Sequence, residues 1–163
     1  GKTTGVILAG GQSSRMGGQR KTLAELAGRP LLVHVVERLQ PQVNSLLLSC
    51  EPGVVDFETF GLRQVPDIVP GYRGPLAGLH SAMQHMVETG RGGSLVLCPC
   101  DAPFIPNNLV KVLLDAEQGG SGKVIAVSYQ GVLQPTFSLW QNHHLGAIRN
   151  AVVEQGRVVL NTC

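Results

Sequence analysis

The chain has 163 residues, 43% of them hydrophobic and 15% charged, which fits one α/β-sized domain over residues 1–163 with one sizeable core. Thirteen Lys and Arg against 11 Asp and Glu leave a net charge of +2, so there is no general electrostatic case for nucleic acid or an acidic membrane surface. Twenty-one glycines and ten prolines predict many tight turns.

Along the chain, Thr4 to Ala9 is a β-rich run that ends at Gly10-Gly11, which reads as strand then loop. Thr22 begins a short Thr-Leu-Ala-Glu-Leu segment. Pro30 opens a helix whose apolar face is Leu31, Leu32, Val35, Val36 and Leu39, with Glu37 and Arg38 outside. Leu46 to Leu48 is a short apolar strand of the kind covered on both faces. Residues 53–61 give no clear signal. Gln64 and Val65 begin another short strand, stopped by Pro66 and Asp67.

A Gly/Pro-rich loop from Pro70 to Pro75 leads into a helix marked by Leu76, Leu79, Met83 and Met86, the methionines reading as core filler. Ser94 to Cys98 is a strand closed by Pro99. Helical spacing returns through Leu109, Val112 and Leu113 and ends at Gly119-Gly120. Lys123–Ser128 and Thr136–Leu139 form two strands across a Gln130-Gly131 turn. A last helix carries Leu145, Ile148 and Val152 and stops near Gly156. This alternation predicts an α/β fold: one three-layer domain with a mostly parallel central sheet and a late antiparallel strand.

Several chemistries are excluded. No apolar run approaches the ~18 residues of a membrane span, and Gly1-Lys-Thr-Thr lacks the apolar stretch of a secretory signal. Cys50, Cys98, Cys100 and Cys163 lack zinc spacing and read as buried thiols of a reducing, cytoplasmic protein. His80 and His85 lack metalloprotease spacing, and Gly78 to Ser81 does not make a nucleophile elbow. His34 reads as a helix-surface or core-edge residue, and His143-His144 as solvated.

What remains are three loops expected at the carboxyl ends of strands, where parallel sheets bind ligands: GGQSSRMGGQRK, PDIVPGYRGPLAG and CPCDAPFIP. The first fits neither the Walker A nor the dinucleotide fingerprint. Its glycines still let backbone amides approach an anion, while Arg15 and Lys21 supply a fork and a point charge for phosphate. Asp101, held between Pro99 and Pro103, suits a Mg²⁺ ion beside phosphates, and Asp67 ends a strand in the same way. As structural alternatives, either carboxylate could cap a turn.

LAGGQSSRMGGQRK, GPLAG, CPCDAPFIP and LQPTF together resemble the molybdenum cofactor guanylyltransferases, within the sugar-nucleotide-type nucleotidyltransferases. The resemblance covers nearly the whole chain. It implies a Rossmann-like domain that transfers GMP from GTP to molybdopterin bearing molybdenum. It also implies nucleotide-binding positions at Leu8, Ala9, Gly10, Gly11, Lys21, Ser49, Asp67, Gly74, Leu76, Gly78 and Asp101. Arg15, Lys21 and Asp101 take the catalytic roles, and Asp101 with Asn161 the Mg²⁺ site. The cytidylyltransferase cousins are the nearest alternative; they typically have LAAG where this chain has LAGG, and tend to lack CPCD. A non-catalytic guanine-nucleotide sensor is the alternative of another class. Implied partners are proteins of cofactor biosynthesis and molybdoenzyme maturation, with neither nucleic acid nor membrane. Two departures stand out: Ser49 occupies a position where asparagine is frequent, and Gly156-Arg157 runs almost directly into Val158–Thr162, where the family has a further loop and strand.

Overall fold

The computed structural model describes residues 2–9, 15–16, 19–20, 25–50, 62–66, 75–90, 93–100, 102–117 and 124–150. Strand β1 (Thr3–Leu8) is the inner strand on which the fold is organised. Two short hairpins follow it, β2 (Arg15–Met16) with β3 (Gln19–Arg20), and β4 (Glu25–Leu26) with β5 (Arg29–Pro30). Helix α1 (Leu31–Leu39) then leads to β6 (Ser45–Cys50) and β7 (Arg63–Pro66). Helix α2 (Pro75–Glu88), β8 (Ser94–Pro99) and α3 (Leu109–Glu117) come next. The hairpin β9 (Ile125–Tyr129) and β10 (Val132–Gln141) and the short α4 (Leu145–Asn150) follow.

One six-stranded sheet has the order β7-β6-β1-β8-β10-β9. β7, β6, β1 and β8 are parallel, and β10 runs antiparallel to both of its neighbours. The late antiparallel excursion expected from the Gln130-Gly131 turn is therefore present. Both turn residues have positive φ, 50° and 78°, the backbone that a tight two-residue hairpin requires and that glycine adopts without strain.

Side chains alternate between the two faces with the strand period of two. Ile7, Leu48, Cys50, Val96, Cys98 and Leu139 pack with Leu32, Val35 and Leu39 of α1 and with Leu109, Val110 and Leu113 of α3. Val6, Leu47, Leu95, Leu97 and Trp140 pack on the opposite face with Leu79, Met83 and Met86 of α2 and Ile148 of α4. The result is three layers, helix–sheet–helix, as expected of a Rossmann-like domain. Met83 and Met86 are fully buried, as core filler should be.

Some expectations need correction. Val112 is 53% exposed, and Val110 takes its place in the core. At 100° per residue, Leu109, Leu113 and Val110 share one arc of the helix, and Val112 falls outside it. β10 begins at Val132 rather than Thr136, and its pairing with β9 shifts between Gln134 and Ser138. His144 is not simply solvated: its Nδ1 accepts the Gln141 N–H at 3.0 Å, and its ring meets Trp140 edge-on. Residues 53–61, Val152 and the Gly156–Thr162 run lie outside the described residues.

Candidate functional site

The chain leaves β1, β6, β7 and β8 along one edge of the sheet. Leu8 is level with Ser49 of β6 and with Pro99 of β8, while Cys50 is level with Pro66 of β7. Two further hydrogen bonds lock the exits: the Ala9 N–H donates to Ser49 O at 2.8 Å, and the Cys100 N–H donates to Leu8 O at 3.2 Å. The connection from β1 reaches β6 on one side through α1, whereas α2 carries the chain from β7 back to β8 on the other side of β1. The strand order thus reverses between β1 and β8, the point at which an open α/β sheet forms its ligand crevice.

Helix α2 begins at this edge and is pressed against it. A Cβ added at Gly78 would lie 2.5 Å from Ser49 Oγ and 2.7 Å from Leu8 Cδ2, closer than any real contact allows. Only glycine lets the first turns of α2 sit this deeply on β1 and β6. Ser49 itself is 2% exposed and Ala9 is fully buried. Leu8, Ser49 and Gly78, three positions far apart in sequence, therefore meet at one spot. Ala9 bonds to the same strand through its backbone.

Of the other positions named from the sequence, Arg15 lies in β2, its backbone paired with Arg20, and Leu76 lies in the first turn of α2. Gly10, Gly11, Lys21, Asp67, Gly74, Asp101 and Asn161 lie outside the described residues. Their attachment points are nonetheless fixed: Gly10 follows Ala9, Asp67 follows Pro66, Gly74 precedes Pro75, and Asp101 follows Cys100. β1 and β8 are neighbours, so the glycine loop and Asp101 start from adjacent strands about 5 Å apart. β7 lies three strand spacings from β8, about 14 Å, so Pro66, the residue before Asp67 in the sequence, ends a strand on the far side of β1 from β8.

The segment between the glycine loop and α1 is tied down by polar contacts. His34 Nε2 lies 2.6 Å from Leu26 O, and Arg29 Nη2 pairs with Glu37 Oε2 at 2.5 Å. Hydrogen bonding to Glu37 raises the pKa of the Arg29 guanidinium, and hydrogen bonding from Arg29 lowers that of the Glu37 carboxyl. Both groups face solvent, so the pair orients the β4–β5 hairpin more than it stabilises the fold.

Beyond β8 the 102–108 segment crosses the α1 side of the sheet. Arg38 Nη1 donates to Ile105 O at 3.2 Å, and Gln42 Nε2 donates to Pro106 O at 3.0 Å. Gln42 Oε1 also accepts the Val110 N–H at 2.9 Å in the first turn of α3. Between this segment and β9–β10 lies a cavity of about 410 Å³. Sequence reasoning did not find it, although Pro135 inside an apparent strand is the signal of an interrupted ladder. Among the described residues no cluster of three or more His, Cys, Asp and Glu is placed to hold a metal.

Comparison with known proteins follows this geometry. The profile of the MobA-like NTP transferase domain matches residues 5–161. A molybdenum cofactor guanylyltransferase of Rhizobium meliloti is 43% identical over 136 residues, which cover 83% of this chain and 62% of that protein. One of Mesorhizobium japonicum is 35% identical over 151 residues, covering 93% of this chain and 73% of that protein. The chain thus spans about three fifths to three quarters of the length of these relatives. Among solved structures, molybdopterin-guanine dinucleotide biosynthesis protein A from Archaeoglobus fulgidus superposes with a TM-score of 0.75 at 22% identity, over 96% of this chain and 76% of that one. A 4-diphosphocytidyl-2C-methyl-D-erythritol synthase gives 0.69 at 13% identity, over 91% and 78%. At these identities the structural likeness speaks for the fold.

Proposed function

The chain belongs to the MobA-like NTP transferase family, and from that premise we propose that it transfers GMP from GTP to molybdopterin bearing molybdenum. The products are the guanine dinucleotide cofactor and pyrophosphate. The observation that carries this reading is the convergence at the sheet edge. The exits of β1 and β8 are level, and α2 is seated beside them through Gly78 on Leu8 and Ser49. A phosphate loop, a carboxylate and a helix start are thereby attached to one crevice. The guanylyltransferase relatives point to the nucleotide and the acceptor.

The nucleotide occupies the β1–β6–α2 side in this reading. Backbone groups at Leu8, Ala9, Gly10 and Gly11 line the path of the phosphates, and Ser49, Gly74, Leu76, Gly78 and Asp67 form the base and ribose side. The pterin phosphate oxygen forms the new bond to the α-phosphorus of GTP. The bond from that phosphorus to the bridging oxygen of the β-phosphate breaks, and pyrophosphate leaves with the electron pair. Arg15 and Lys21 offset charge that develops on the leaving group. The nucleophile is already an ionised phosphate, so no protein base is needed. Asp101, with Asn161, would hold Mg²⁺, a hard ion that takes oxygen ligands and would supply charge neutralisation at the reacting phosphates when bound. In this reading Asp67 serves the nucleotide rather than that ion.

Among the described residues no helix is long and apolar enough to cross a membrane. A cytoplasmic protein that receives a labile pterin from biosynthetic proteins and passes the product to molybdoenzyme-maturation proteins fits this chemistry.

The test is formation of dinucleotide cofactor from molybdenum-loaded molybdopterin with Mg²⁺, comparing GTP with CTP. GTP-dependent product, lost in folded Asp101→Ala, is the expected result. A preference for CTP moves the chain to the cytidylyl branch. Tight GTP binding with no product from either nucleotide makes it a sensor.

A further inference from the structure

We propose that His34, Arg38 and Gln42 are positioning residues for the transfer. They form one polar stripe that ties the chain after the glycine loop and the chain after Asp101 to a single helix. This rests on the guanylyl-transfer reading above and adds residues which that reading does not otherwise use.

The stripe is built by spacing. The three residues recur at intervals of four along α1 and the 3-10 turn Gln40–Gln42 that extends it, which keeps them on one side of the helix. Leu32, Val35 and Leu39 take the core side and are fully buried. His34, Arg38 and Gln42 are half-buried at its margin, where a side chain can reach the backbone of a segment outside the helix.

Each of them does so. His34 Nε2 lies 2.6 Å from Leu26 O. A carbonyl oxygen only accepts, so Nε2 carries the hydrogen and donates it. Leu26 ends β4, in the chain between Lys21 and α1. Arg38 Nη1 donates to Ile105 O at 3.2 Å, and Gln42 Nε2 donates to Pro106 O at 3.0 Å. Gln42 Oε1 accepts the Val110 N–H at 2.9 Å. That N–H belongs to the first turn of α3, where a helix supplies no acceptor of its own. Gln42 therefore caps α3 from 68 positions away along the chain.

The segment held in this way has reason to need it. Pro103 and Pro106 carry no N–H, so they interrupt any backbone ladder. Ile105, 2% exposed, anchors the segment in the α1 face of the core, and the Arg38 and Gln42 hydrogen bonds fix the backbone on either side of that anchor. Ala102 follows Asp101 directly, so these ties act on the chain just beyond the carboxylate. At the other end of the stripe, Leu26 closes the stretch that Lys21 begins, and the Arg29–Glu37 pair adds a second tie from α1 to β5. One rigid helix thus sets the spacing of the two loops. A transfer that uses placed charges and no protein base depends on that spacing.

The experiment follows GTP-dependent transfer to molybdenum-loaded molybdopterin by the full chain, with amide hydrogen exchange and thermal melting on the same samples. Arg38→Met and Gln42→Leu remove the hydrogen bonds at similar bulk, and Arg38→Lys keeps a donor for Ile105 O. In the first two, kcat is expected to fall about ten-fold with KM for GTP held within about two-fold, and Arg38→Lys recovers most of the loss. Their amides at 102–110 exchange faster, while those of β1 stay protected. His34→Leu, on the phosphate-loop side, raises KM for GTP, and His34→Gln, which keeps an N–H donor, restores it. Lys111→Ala breaks a solvent-facing pair with Asp115 on α3 and serves as the control, with kcat unchanged. Should Gln42→Leu fail to fold, Arg38→Met and Arg38→Lys decide. A lowered melting temperature with wild-type kcat, measured where every variant is folded, overturns the proposal and makes the stripe structural alone. Arg38→Lys no better than Arg38→Met overturns it as well. If the wild type makes no product from GTP or CTP while both variants free the 102–110 amides, the anchoring stands and the transfer reading fails. If transfer proceeds and kcat is untouched by either variant, the transfer reading stands and the positioning role fails.

Discussion

The two flanks of β8 are built on different principles. On the β1–β6–α2 side, parallel strands in register meet a helix with no space between them, and Ser49 and Ala9 are almost wholly buried. On the β9–β10 side, an interrupted antiparallel ladder and a hydrogen-bonded loop leave a cavity with Phe104 at its border. The first flank can hold a ligand only through backbone and loop groups at its rim. The second leaves open space between its walls.

The contrast can be tested by damaging each flank in turn. Met83→Ala removes a fully buried side chain from the α2 layer and should cost about 2–5 kcal/mol in a urea melt, the largest effect expected here. A loss below 1 kcal/mol would show that α2 is loosely seated. Gly78→Ala drives a methyl into Ser49 and Leu8 and should cost about 1–3 kcal/mol. Because α2 must lift, KM for GTP should rise more than KM for the acceptor; an equal rise would unlink Gly78 from the nucleotide side. Gln42→Ala removes the acceptor of the Val110 N–H and the donor to Pro106 O, costing about 1 kcal/mol. A urea melt indistinguishable from wild type would show that these hydrogen bonds do not hold the 102–108 segment.

The smallest effect belongs to the Arg29–Glu37 pair, outside both flanks. The folded Glu37 carboxyl titrates below its ordinary value of 4.5, so its contribution is fully present above that pH and is lost as pH falls through the lowered value. Glu37→Gln should therefore melt slightly below wild type at neutral pH and low salt, and the two should converge in acid. A gap that persists in acid would mean the pair is not its source.

Much of the first flank was legible in the sequence. The Thr4–Ala9 run, the Leu32–Leu39 stripe and the Met83–Met86 face are periodic signals long enough to fix strand, helix and core side. Pro30, Gly10-Gly11 and Gln130-Gly131 punctuate them through backbone preferences that act locally. The second flank was legible only in part. Val112 had the right residue type for the core, but the arc of α3 that meets the sheet depends on how the helix lies against β9 and β10. LQPTF could be read as strand with a proline; that it loops out against one step of β9 depends on pairing between strands.

The sequence by itself determined the alternation of strands and helices, the antiparallel return, and which loops hold the glycines, basic residues and carboxylates. These follow from local periodicity, turn chemistry and side-chain type. Only the tertiary structure decided that Leu8, Ser49 and Gly78 meet, that β7 and β8 end three strand spacings apart, and that a cavity lies beyond β8. Those facts depend on strand order, register and the depth at which α2 packs, which are set by contacts between residues distant along the chain.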